Sequence, residues 1–129
     1  MTTDLKMLAW VAAITALMWL PYIMAHIMEL GLMKALTYQA DDSPLPDWAK
    51  RAKRAHYNAI ENLAPFAAVV LVAHLAGAAS GTTAVWSIIY FWARLLHYAA
   101  HISGLPFVRT ILFAIGWLAI MIIFLQIVT

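Results

Sequence analysis

The sequence has no cysteine and very little charge. The missing thiols exclude disulfide frameworks, thiol nucleophiles and thiolate metal sites. Only 11% of the 129 residues are charged and 65% are hydrophobic. Soluble domains run at about 25% charged and about 45–50% apolar. One small domain cannot hide this much apolar surface from water. An ordinary soluble enzyme and a disordered chain are therefore excluded. The formal charge of +2 is too small to recruit a nucleic acid. A bilayer is the solvent that suits this composition.

At about 20 residues per span, the chain has room for four membrane helices and short loops in a single integral membrane domain. Residues 7–25 carry no charge, which is spanning length. Pro21 within them predicts a bend. This run is too long for a signal-peptide core and has no small-residue cleavage site behind it, so it is expected to stay as the first helix. Residues 40–47 are polar with two prolines and read as a loop outside the hydrocarbon. Asp47 is a plausible N-cap for the second helix, and Ser80-Gly81-Thr82-Thr83 is a polar turn. Gly104-Leu105-Pro106 breaks the third helix from the fourth, and residues 110–129 carry no charge. The expected helices span roughly residues 5–34, 48–77, 83–103 and 106–128. Lys34, Lys50, Arg51, Lys53 and Arg54 flank the first connection, and Arg109 the third. The positive-inside rule then puts both termini on the non-cytoplasmic side. Lys50, Arg51 and Lys53 are expected to snorkel to anionic headgroups.

Ionisable groups inside membrane helices are expensive and mark functional positions by default. Arg54, Asn58, Glu61 and Pro65 fall at i, i+4, i+7 and i+11, on one helical face. Tyr90, Arg94, His97 and His101 repeat that spacing on the third helix. Arg109 and Thr110 open the fourth. Planar arginine forks suit carboxylates, so the matching ligand is a small, anionic zwitterion. A second reading stays open here: Arg54–Glu61 and Arg94–Glu61 salt bridges that only hold helices together. The five histidines invite haem or metal, but there is no HExxH motif and no cysteine, so no metal site is expected.

The run Arg54-Ala55-His56-Tyr57-Asn58-Ala59-Ile60-Glu61-Asn62-Leu63-Ala64-Pro65-Phe66 resembles the R-A-x-x-N-x-x-E-x-x-x-P-F signature of the MAPEG family, membrane-associated proteins in eicosanoid and glutathione metabolism. Ala93-Arg94-Leu95-Leu96-His97 and the later Arg109-Thr110 resemble the family's R-x-x-H stretch and its fourth-helix arginine. The resemblance spans essentially the whole chain. It implies an all-α bundle of four transmembrane helices, a homotrimer, and glutathione as co-substrate between protomers near the cytoplasmic face. By motif, Arg54, Asn58, Glu61, Arg94, His97 and Thr110 would hold glutathione, and Arg109 would stabilise its thiolate. The implied activity is glutathione transfer, with possible peroxidase chemistry, to hydrophobic electrophiles from the bilayer of the inner membrane. The sequence departs from the family at His101 and Phe113, where members carry tyrosines. It also departs at Lys34, where eicosanoid-forming members carry an arginine. These departures argue against an eicosanoid synthase. Two other classes remain at this point: a non-catalytic relative that binds lipid or a partner, and a small four-helix transporter. The arginines around Glu61 favour anions and weigh against a cation exporter.

Overall fold

The computed structural model describes residues 1–37 and 45–129. The expected loop at 40–47 falls largely outside them. Among the described residues every regular element is helical: α1 (Thr3–Leu17), α2 (Leu20–Leu30), α3 (Leu32–Ala35), α4 (Asp47–Leu75), α5 (Gly81–Ile102) and α6 (Pro106–Val128).

Helical hydrogen bonding in the first span is interrupted at Met18 and Trp19, just before Pro21, while the backbone there stays in the right-handed helical region, as the expected bend requires. Pro21 has no N–H, so the Leu17 carbonyl loses its helical partner. One residue on, Met18 N–H bonds Thr15 O at 3.2 Å, and the Tyr98 hydroxyl reaches across from α5 to donate to the neighbouring carbonyl, Met18 O, at 3.0 Å. A freed carbonyl deep in a membrane needs such a donor. Gly31 separates α2 from α3, so the stretch expected as one helix over 5–34 consists of three segments.

The other boundaries have visible chemical causes. Ser80 and Thr83 form a reciprocal capping box at the start of α5. Asp4 of α1, itself buried, accepts from the Thr83 hydroxyl at 3.3 Å and ties the two N-termini together. Helices α4 and α5 both end in Schellman motifs. At one, Ala78 N–H bonds Ala73 O with Gly77 at φ +71°; at the other, Leu105 N–H bonds Ala100 O with Gly104 at φ +76°. Pro106 then occupies the first turn of α6, where its missing N–H costs nothing.

Three stretches, Thr3–Leu30, Asp47–Leu75 and Pro106–Val128, are long and apolar enough to cross a membrane. Helix α5 is less apolar because it carries the buried polar stripe. Its 22 residues still rise about 33 Å, enough for the hydrocarbon. Short turns at both ends and packing against α1, α4 and α6 carry it through the same bundle. In cross-section α4 and α5 touch across the middle, with α1 and α6 at opposite corners. The protein is a helical membrane bundle.

The core lies towards the end where α4 finishes and α5 begins. Val11, Phe66, Val70, Ala73, Tyr90, Ala119, Ile120 and Ile123 pack there. Phe66 and Tyr90 stack with centroids 3.8 Å apart. Alanines line the buried side of α4 at 49, 52, 55, 59 and 73, while Ile60, Leu71, Val72 and Leu75 face out. Small residues let helices approach, and lipid receives the large ones as well as a core does. Of the small residues at 67, 68, 73, 76 and 77, only Ala73 is fully buried.

Candidate functional site

The opposite end of the bundle is polar and open. There α4 begins, α5 ends and α6 begins. Helical periodicity puts Tyr90, Arg94, His97 and His101 on the inner stripe of α5, and all four are buried. Arg94 is only 4% exposed, and its Nη2 donates to Asn58 Oδ1 of α4 at 2.6 Å. Its Nε has no partner. A buried guanidinium held by a neutral amide keeps an uncompensated positive charge, which costs several kcal/mol, roughly, unless an anion arrives. Among the described residues, no ion pair joins Glu61 to Arg54 or Arg94. The salt-bridge network considered from spacing is therefore not what these side chains form.

Beside this pair lies an open cavity of about 260 Å³, lined by Asn58, His97, His101, Arg109, Thr110 and Phe113. Arg109 projects from the first turn of α6, and its Nη1 lies 3.2 Å from His101 Nε2. The Thr110 hydroxyl donates to Pro106 O at 2.9 Å, which leaves its lone pairs for a ligand. The Nδ1 atoms of His97 and His101 are buried without partners. Their rings are 5.7 Å apart, and the Phe113 ring is 6.4 Å from His97. The lining offers cationic and neutral hydrogen-bonding groups, one aromatic wall and no carboxylate. That chemistry receives an anion with an apolar neighbour.

The structure gathers Asn58, Arg94, His97, Arg109 and Thr110 at this end. Arg54, Glu61 and Pro65 share a face of α4, but that face is exposed on the protomer, with half-buried Asn58 at its edge. So the α4 stripe points outwards while the α5 stripe points inwards.

Some structural residues were not distinguished by the sequence. Arg51 is half-buried, and its Nε donates to Ile102 O at 2.8 Å, clamping the end of α5 to the start of α4. It does not simply snorkel. A Cβ at Gly104 would sit 3.5 Å from that Nε. His56 pairs with the Tyr22 hydroxyl at 2.8 Å and docks α2 on α4. The sequence signal for Arg51 was its place one turn before Arg54. Nothing in the sequence pairs Tyr22 with His56, because they lie 34 residues apart.

A family model described as the MAPEG family matches residues 7–129. Comparisons with curated proteins and with solved structures give no match. The matched region takes in the interrupted first span, the polar ends of α4 and α5 and the whole of α6. The chain belongs to the MAPEG family.

Proposed function

We propose that the protein binds glutathione at the polar end of the bundle and transfers its thiolate to hydrophobic electrophiles arriving from the bilayer. Family membership makes the chain a membrane protein of a glutathione-related group. The observation that carries the finer reading is the juxtaposition of buried, anion-less Arg94 with the carboxylate-free cavity under Arg109. Arg94, through Asn58, receives a carboxylate of the tripeptide, and His97 offers a further hydrogen bond. The thiol gives its proton to water at the open rim. The resulting thiolate lies against the N–H groups that Arg109 does not commit to His101, since a guanidinium has five donors. The thiolate is the nucleophile, and a cation at the sulfur enlarges its population. Thr110 turns its hydroxyl towards the sulfur once the anion forms, exchanging the Pro106 bond for one to the thiolate. Phe113 is the apolar wall against which the electrophile rests. For a hydroperoxide the same thiolate would attack the terminal oxygen, break the O–O bond and release the alcohol, and a second glutathione would condense with the resulting sulfenic acid to give glutathione disulfide and water.

The cavity of about 260 Å³ lies just below the range of about 300–1,000 Å³ for pockets that engulf a ligand. One protomer thus encloses only part of a tripeptide. The outward-facing Arg54 and Glu61 supply the rest if a second copy packs there. This supports glutathione bound between the protomers of a homotrimer. The basic residues flanking the first and third connections support both termini on the non-cytoplasmic side of an inner membrane.

The test is thermal stability in detergent, titrated with glutathione and with an S-alkyl glutathione. Binding to the folded state alone raises the midpoint with ligand concentration. A saturable rise is expected, with half-saturation shifted about tenfold or more by Arg54→Ala. A folded wild-type protein with no shift at millimolar glutathione would overturn the reading.

A further inference from the structure

We infer that His101 is the positioning residue for Arg109, and that protonating this histidine releases the arginine and silences the site. The kinetic part of this inference rests on the glutathione reading; the structural part does not.

Arg109 is exposed at the start of α6, on a long side chain with many rotamers. Its one side-chain bond among the described residues runs to His101 Nε2 at 3.2 Å. A guanidinium only donates, so Nε2 must present its lone pair. His101 is then neutral, with its proton on Nδ1. The ring is a firm anchor: it is 8% exposed, on the last turn of α5. That turn is held by the bond from Arg51 Nε to the Ile102 carbonyl. The chain of support therefore runs from Arg51 to the helix end, to His101, and so to the Arg109 head at the cavity.

A tyrosine would not act in the same way, since its hydroxyl can also donate and stays neutral to high pH. Histidine accepts through one lone pair, and a proton removes it. Protonated Nε2–H would face Nη1–H, donor against donor, and the bond would be lost. The charged and titratable groups facing the ring are Arg109 of α6, Arg54 of α4 and His97 on its own helix, and the Arg51 backbone carbonyl of α4 lies against it as well. None of these charges is a carboxylate, and the Arg51 carbonyl, which faces the ring in either state, cannot replace the bond lost at Nε2. Glutathione holding, assigned to Arg54, Asn58 and Arg94, does not pass through this pair. Loss of the bond lowers turnover and spares affinity.

The experiment compares wild type, H101Q, H101F and R109Q as full chains in detergent. Gln keeps an acceptor oxygen but does not titrate; Phe removes the acceptor. With glutathione and chlorodinitrobenzene, H101F should lower kcat about tenfold while glutathione affinity stays within about twofold. H101Q should recover most of the loss, and its kcat should fall on the acid side only with the single ionisation of the thiol, whereas wild type falls more steeply because His101 protonates as well. Unchanged kcat in H101F, or an unaltered acid limb in H101Q, overturns the inference. The second arm needs no glutathione. In protein labelled with ¹⁵N-histidine, the His101 signal, identified by its absence in H101Q, should report an unprotonated Nε2 that shifts in R109Q. A His101 signal indifferent to R109Q overturns the pairing. If wild type neither binds nor turns over glutathione, the functional reading fails alone, and the ¹⁵N arm still decides the pair.

Discussion

At one end of the bundle α4, α5 and α6 meet through Phe66, Tyr90 and Ile123, each at 0 or 1% exposure. At the other end the same three helices leave a cavity of about 260 Å³ between Asn58, His101 and Arg109. The two ends share helix type and even cap type, since α4 and α5 both finish on a glycine with positive φ. What differs is how their inward positions are filled. Close-packed rings close the first end, where the Tyr90 hydroxyl is buried without a partner; the second gathers three such atoms, on Arg94, His97 and His101, beside an open cavity. Rigidity and chemistry are thus divided lengthwise along the same helices, and α5 carries both.

The largest expected effect breaks the division from the packed side. Phe66→Ala removes a ring stacked at 3.8 Å on Tyr90 and should cost about 3 kcal/mol of stability. Phe113→Ala, at a ring 37% exposed on the cavity rim, should cost less than about 1 kcal/mol. Denaturation in detergent compares the two. Equal losses would mean that the ends do not differ in packing.

The next effect falls on chemistry alone. Arg109→Ala should lower glutathione-transfer kcat about a hundredfold, comparable to losing one aimed donor at a developing charge. Its melting temperature and glutathione affinity should stay close to wild type. Full turnover in this variant would remove Arg109 from the thiolate role.

The smallest effect uses the matched caps. Gly77→Ala and Gly104→Ala both force an L-residue into the left-handed region, at about 1 kcal/mol each. Nothing lies within 4 Å of a Cβ at Gly77, whereas at Gly104 it would touch the Arg51 head. Both variants should melt slightly earlier, and only Gly104→Ala should also lower kcat, by about twofold to threefold. Equal kcat in the two would separate Arg51 from the site.

The sequence was most legible where membrane physics leaves few choices. Long uncharged runs marked the spans, and the i, i+4, i+7 pattern on α5 identified Tyr90, Arg94, His97 and His101 as one stripe. Buried polar groups in a membrane helix must face protein, so that stripe could be oriented inwards. The similar stripe on α4 was harder to orient. Arg54 lies two turns into its helix and Glu61 at the midpoint, where a neighbouring copy can receive a charge, and both face out of the protomer. Hydrophobicity did not separate core from lipid face either, because both are apolar; the buried alanines at 49, 52, 55 and 59 became distinct only in the structure. The interruption before Pro21 was visible in the sequence, but the Tyr98 bond to the Met18 carbonyl was not. That pairing spans 80 residues and has no local signature.

The same separation has a consequence for how the chain is made. The Met18 carbonyl finds its donor only when Tyr98 has been synthesised, and Asp4 meets Thr83 across 79 residues. At roughly 5–20 residues per second, the first helix waits about 4–16 s in the membrane with its break unsatisfied. Until α5 inserts, the insertion machinery or lipid-borne water must cover that carbonyl. A span made well before α5 is therefore finished only after α5 has been made.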